Sequence, residues 1–373
     1  MKIIYLDNNA TTYVLQEVQE VMCELLKMPL NASSVHFIGR KAKYFKEQAK
    51  MQILDMLSLD SKLYNLVFTS SGTEANNLVM KNFYQHNIII SALEHPSIYN
   101  HIKFNNNISV CKVNSKGLID MAELEMNLQK SQKSKTLVSI MIANNETGLV
   151  QPLGEISKLV HNYGAILYSD CCQYPGKCYG DLNSLDLDIL SISGHKFGAS
   201  LGVAALIFKK DVYLEPQHIG GGQEYGLRSG TENIPAITGM GVAANWFMKN
   251  DYRTSIAFLR DMLENKILEY SRGSAEFIGK NSERLVNTSM VIMPNVASNS
   301  QLIKFDLEGF AISAGSACSS GKIGDFRILK SMGYPDEKAK NAIRVSLSHN
   351  NTLEEVVAFA KSWGKLFSAH NTV

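Results

Sequence analysis

What most constrains this chain is a series of seven short apolar segments, at 66–70, 87–91, 108–113, 137–143, 165–170, 187–193 and 203–209, most of them separated by amphipathic stretches. "LVFTS", "NIIIS", "LVSIMIA" and "LDILSIS" are strand-like in length and composition. Helix-like stretches at 74–85, 95–104, 120–131 and 154–163 lie between them. The pattern predicts an α/β fold with a mainly parallel sheet flanked by helices. Further on, a long helical stretch is expected from about 235 to about 270. Strand-like "TSMVIM" at 288–293, a helix near 300–308, a strand at 342–347 and a closing amphipathic helix near 352–368 then read as a smaller α+β unit. A large α/β domain is expected over 15–260, and a small α+β domain from 1–14 together with 261–373.

With 373 residues and 45% hydrophobic content, such a chain can bury a substantial core. Its net charge of +2, with Lys and Arg evenly scattered, argues against a dedicated nucleic-acid or membrane surface and for a small-molecule ligand or protein partners. The opening "MKIIYLDNNATT" is too short an apolar run for a signal peptide or a membrane span, so a cytoplasmic location is expected. Six cysteines, at 23, 111, 171, 172, 178 and 318, include no C-x-x-C pair and no Cys/His cluster at metal-ligand spacing. No metal site is expected, and the thiols should be free.

In open parallel sheets, ligands gather at the carboxyl ends of the strands. Here those ends are polar: "SGTEANN" follows 70, "NNETG" follows 143, "DCCQ" begins at 170 and "GHK" follows 193. Gly72 and Thr73 stand where a helix begins, so Thr73 is either a simple N-cap or part of an anion pocket. No Walker A or G-x-G-x-x-G pattern is present. Lys196, after a buried strand, is either a solvated lysine or an amine nucleophile toward an aldehyde. Asp170 closes an otherwise apolar strand, where a carboxylate is costly unless paired. Pyridoxal phosphate needs a lysine, a carboxylate for its ring nitrogen and an anion pocket, and Lys196, Asp170 and the Gly72/Thr73 turn supply all three. His95, after "NIIIS", is either a helix-start histidine or a ring-stacking, proton-moving one. Cys318, in "SAGSACSSG", sits among small residues that cannot fill a core, as either an incidental loop cysteine or a reacting thiol.

"YLDNNATT" at 5–12, "SSGTEANN" at 70–77, "EHPSI" at 94–98, "NNETG" at 144–148, "DCCQ" at 170–173, "SGHKFG" at 193–198, "GGGQEYGLRSGTEN" at 220–233, "SAGSACSSG" at 313–321 and "IRVSLS" at 343–348 together span nearly the whole chain. In this order they resemble the cysteine desulfurases, pyridoxal-phosphate enzymes of the fold-type I, class V aminotransferase kind. The resemblance implies that Lys196 carries the cofactor, Asp170 pairs with its ring nitrogen and Gln173 hydrogen-bonds its phenolic oxygen. It assigns the phosphate to Gly72, Thr73, Ser193 and His195, with Thr231 reaching it from the partner subunit of a homodimer. His95 would stack on the ring, Asn145 and Arg344 would orient the substrate with Asn8 nearby, and Cys318 would be the nucleophile. The implied reaction converts L-cysteine to L-alanine and leaves a persulfide on Cys318. That sulfur would go to an iron-sulfur scaffold or another acceptor protein, serving cluster assembly and in many members tRNA thiolation.

The chain departs from the family pattern in places. "SGHKFGASLG" lacks a proline and a lysine that usually follow the motif, "KIGDFRILKSMG" stands where a Pro-Ser-His type segment is common, "NASSVH" replaces "NPSSVH", and "IRVSLS" ends in serine. Competing readings are a selenocysteine lyase, a related aminotransferase, or a catalytically inactive assembly scaffold. Cys171 and Cys172 read as small strand-end packing.

Overall fold

The computed structural model describes residues 3–131, 135–314 and 326–371. Among them run β1 (Ile4–Tyr5), β2 (Tyr64–Thr69), β3 (Asn87–Ser91), β4 (Ile108–Cys111), β5 (Thr136–Ser139), β6 (Ile166–Asp170), β7 (Ile189–Ser193), β8 (Ala204–Lys209), β9 (Glu276–Phe277), β10 (Thr288–Ile292), β11 (Phe310–Ala311) and β12 (Ala342–Ser346). The main sheet has the order β2-β8-β7-β6-β5-β3-β4. Its pairings are parallel from β4 through β7, and β8 lies antiparallel between β7 and β2. Because β8 alone is reversed, β2 points the same way as β3, β5, β6 and β7. Their carboxyl ends therefore open at one edge.

The uninterrupted apolar runs follow from burial on both faces. Ile88, Ile90, Leu137 and Leu206 pack into one core layer, while Ile89, Val138, Ala205 and Ile207 pack into the layer on the opposite side. Successive residues alternate between layers, as the pleat requires, and neither layer is wet.

A second core lies beneath the antiparallel sheet β12-β10-β9. Val291, Ile343 and Val345 pack there against Phe359 and Trp363 of the helix Leu353–His370 and against Leu263 and Ile267 of the helix Arg253–Tyr270. A reciprocal capping box between Thr352 and Glu355 starts the closing helix. Leu6 joins the same core, and β1 pairs with β11, so the first residues are built into the last third of the chain.

The helical stretch expected from about 235 to about 270 is two helices, Ile234–Lys249 and Arg253–Tyr270. Asn250 leaves the helical region at φ −126° and ψ 91°. Tyr252 then turns onto Trp246, Phe247 and His349. The aromatic contacts hold the bend, and the second helix departs for the second core.

A buried ion cluster ties the helix Phe37–Met56 to the segment that carries Thr231. Lys46 Nζ lies 3.0 Å from Glu224 and 2.8 Å from Glu232, and the Phe68 N–H donates to Glu224 Oε2 at 2.7 Å. Glu224 has a positive φ of 49°, which the cluster holds in place. Among the described residues, no helix is long and apolar enough to cross a membrane.

Candidate active site

The carboxyl ends of β2, β3, β5, β6 and β7 surround a cleft of about 200 Å³ lined by Gly72, Thr73, His95, Asn145, Asp170, Gln173, Ser193, His195, Lys196 and Arg344. These residues come from six separate stretches of chain. Their meeting is a consequence of the sheet order.

At one end, Ser71 caps the helix Gly72–Asn82, its hydroxyl accepting from the Glu74 N–H at 3.1 Å. Ser71, rather than Thr73, is thus the N-cap, and Thr73 stands in the first turn at the cleft wall. A Cβ on Gly72 would lie 3.0 Å from Cys172 Sγ and 3.6 Å from Ser193 Cβ, intruding on the space between helix and sheet. Glycine keeps that cradle open, and first-turn N–H groups face an anion favourably. His195 borders the same region. Burial, with the Lys196 and Lys177 cations beside it, pushes its imidazole down to about 4.

The lowered His195 value has a sign that can be tested. Between about 6.5 and about 4 the unfolded chain takes up a proton that the folded chain refuses, so the ligand-free protein should lose stability as pH falls through that window. Above it the residue contributes no pH dependence. Thermal unfolding at several pH values should show a shallower acid-side slope for His195→Asn than for the unsubstituted chain.

Asp170 ends β6 and is buried. Its Oδ2 accepts from Asn76 Nδ2 at 2.8 Å and its Oδ1 from the Cys172 N–H at 3.0 Å. Asn76 is itself oriented, since its Oδ1 accepts from the Tyr168 hydroxyl and from Ser191 Oγ. The amide therefore has only its donor end to offer the carboxylate. Lys196, in the short turn after β7, donates Nζ to the carbonyls of Asn9 and Ala10 at 2.7 and 2.8 Å.

His95 combines the two roles that the sequence left open. It caps the short helix Pro96–Tyr99, its Nδ1 accepting from the Ser97 N–H at 3.2 Å, and its ring lines the cleft. A backbone N–H can only donate, so Nδ1 is unprotonated and the ring proton sits on Nε2. Burial lowers its pKa, which favours the neutral ring.

Opposite, Arg344 on β12 is fully buried. It donates Nη1 to the Asn145 carbonyl at 2.8 Å and pairs through Nη2 with Asp7. Its Nε has no hydrogen-bond partner among the described residues. A buried donor left open beside a cleft is a place for a ligand's acceptor.

Two expected residues do not line the cleft, and a third lies outside the described residues. Asn8 is buried against β12, its Nδ2 donating to the Ser346 carbonyl at 3.0 Å, and its neighbour Asn9 lines the cleft instead. Thr231 is exposed on a separate surface depression with Ser70, Gly202 and Arg228. Cys318 lies outside the described residues. Conversely, Asn76, Ser97 and Cys172 also line the cleft. Asn76 had a legible signal, lying one helical turn after Gly72 on a helix whose start faces the site. The Cys172 thiol is held well above its usual range, first by burial and then by Asp170, which disfavours its thiolate.

Pyridoxal phosphate fits these residues on their own terms: an open glycine cradle at a helix start, an oriented buried carboxylate, and an amine on the wall between them. A mainly parallel sheet with this constellation at its strand ends defines a fold-type I pyridoxal-phosphate enzyme. The aminotransferase class-V family model matches residues 4–359. A cysteine desulfurase from Nostoc sp. is 36% identical over 369 residues, covering 95% of this chain and 90% of its own. A solved NifS-like protein from Rickettsia africae superposes with a TM-score of 0.91 at 42% identity, covering 98% of this chain and 99% of its own. SspA, solved in complex with cysteine, gives 0.79 at 28% identity, covering 92% and 98%. The chain belongs to the cysteine desulfurase family of the class-V aminotransferases.

Proposed function

We propose that this chain is a cysteine desulfurase that takes the sulfur of L-cysteine onto Cys318 and releases L-alanine. The observation that carries the reading is the meeting of Lys196, Asp170, His95 and Arg344 around one cleft in a chain of this family. Its likeness to a relative solved with cysteine supports the substrate.

Bound in the cleft, pyridoxal phosphate supplies an electron sink for the carbanion left at a substrate's α-carbon. Gly72, Thr73, Ser193 and His195 would hold its phosphate, Asp170 its ring nitrogen, Gln173 its ring oxygen and Lys196 its aldehyde carbon. Arg344, whose Nε has no hydrogen-bond partner among the described residues, would hold the substrate carboxylate, and Asn145 would orient the substrate. Lys196, once free, is placed to take the α-proton. His95, as the Nε2–H tautomer, gives or shares a proton from Nε2 rather than accepting one there.

In the sulfur step the Cys318 thiolate attacks the substrate sulfur, forming an S–S bond as the substrate C–S bond breaks. The remaining carbon skeleton is reprotonated to alanine. Thr231, exposed on a segment pinned through Glu232 to Lys46, would complete the phosphate site of a second copy in a homodimer. We further propose a cytoplasmic enzyme that passes its persulfide sulfur to an iron-sulfur scaffold or another acceptor protein.

Incubation with L-cysteine and pyridoxal phosphate should yield alanine and a persulfide-labelled peptide containing Cys318. Cys318→Ser should keep the visible absorption of the lysine-bound cofactor yet form no persulfide. Normal sulfide release from that variant would refute the assigned nucleophile, and full turnover without it would favour an aminotransferase.

A further inference from the structure

Lys177 is 6% exposed, and no carboxylate pairs with it among the described residues. An ammonium in that position is costly, and lysines are seldom so buried without a paired charge. Burial, and then the Lys196 and Arg344 cations nearby, hold its pKa well below the usual range. What it does have among the described residues is one short contact: Nζ donates to Gln173 Oε1 at 2.7 Å.

That contact is half of what fixes a choice that an amide cannot make by shape. The two ends of a glutamine side chain are nearly the same size, and one accepts while the other donates. Here Gln173 Nε2 meets the Asn9 carbonyl, which can only accept, at 3.0 Å, and the other end, Oε1, receives the Lys177 donor at 2.7 Å. Both contacts fit the same orientation. The nitrogen has a second N–H beyond the one given to Asn9, and Gln173 lines the cleft beside Asp170 and Lys196. Without Lys177, Oε1 would lose its partner and the amide would be held at one end only.

We propose that Lys177 is a positioning residue that locks Gln173 as a hydrogen-bond donor toward the ring oxygen of the cofactor. The assignment rests on the cofactor reading above. A donor on that oxygen favours its charged form and weakens its hold on the proton it shares with the adjacent lysine-derived nitrogen. Lys177 thereby sets the pH at which the resting enzyme loses that proton.

The test is an absorption titration of the holoenzyme, with no substrate present. Lys177→Met should still bind pyridoxal phosphate, with the midpoint of the visible-band titration raised by about one pH unit, a tenfold change in proton affinity. Gln173→Leu, which leaves the buried lysine untouched, should raise it similarly. The double variant should add little to either single one, because both act through one hydrogen bond. An unshifted midpoint in Lys177→Met, or shifts that sum in the double variant, would overturn the assignment. A missing visible band in the unsubstituted protein would bring down the cofactor reading and this assignment with it.

Discussion

Replacing Lys196 with alanine should lower alanine production from L-cysteine by about 10³-fold or more and erase the visible absorption of the lysine-bound cofactor. The size of the effect follows from two tasks falling on one amine. It holds the cofactor covalently between turnovers, and it is the group placed to move the α-proton within them. Its position is well determined, since the carbonyls of Asn9 and Ala10 accept from Nζ at 2.7 and 2.8 Å. Those carbonyls belong to "YLDNNATT", whose chain runs along the second core before reaching the cleft. Steady-state turnover and the absorption spectrum check the prediction together. Partial recovery with an added small primary amine is the expected sign that chemistry, rather than fold, was lost. A variant that keeps both the band and ordinary turnover would place the attachment at another residue.

Asp170→Asn should cost about 10²–10³ in turnover while leaving the cofactor attached. The substitution preserves shape, removes the charge and turns one of two accepting oxygens into an NH2 that can no longer accept from Asn76 Nδ2 or the Cys172 N–H. In the native site that charge is fixed by Asn76 Nδ2 and by the Cys172 N–H, and Asn76 is fixed in turn by Tyr168 and Ser191. An asparagine at 170 would keep one of these two contacts and could not hold a ring-nitrogen proton by charge. The informative combination is an intact lysine-bound band with a depressed kcat. Unchanged kcat would remove Asp170 from the role of ring partner.

The main sheet was legible because strands buried on both faces leave continuous apolar runs. "NIIIS" coincides with β3, and the runs at 165–170 and 203–209 begin one residue before β6 and β8. The reversal of β8 was not legible, because direction leaves no trace in periodicity. The helix Phe37–Met56 is hard to read for another reason: Lys46 and Lys50 lie on its buried side, neutralised by Glu224 and Glu232 from far along the chain. A charge that looks solvated in sequence is buried here by partners that sequence does not reveal. The break at Asn250 depends likewise on aromatic contacts with His349, about a hundred residues on.

Within the site, Lys196, Asp170 and His95 were legible, since their types are restrictive and they stand at or just after strand ends; Arg344, inside β12, was indicated only by the resemblance. Lys196, Asp170, His95 and Arg344 all border the cleft. Of the residues that aim them, Asn76 alone left a signal, its spacing from Gly72. Ser97 and Lys177 act through orientation, and orientation is a property of the folded backbone. Asn8 and Asn9 differ only in which face of an irregular segment they present, which no repeat in "DNNATT" specifies.

Strand β12 has a wider significance for anyone seeking to alter what the protein accepts. Ser313 and Arg344 exchange backbone hydrogen bonds at 3.2 and 2.6 Å, so the root of the segment leading to Cys318 is stitched to the very residue assigned to the carboxylate. Ile343 and Val345, on either side of that arginine, are packed in the second core. Sliding this ladder by one step would drive a guanidinium into hydrocarbon and shift Ser313 at the same time. Engineering for bulkier amino acids should therefore leave this rung alone and enlarge the opposite wall.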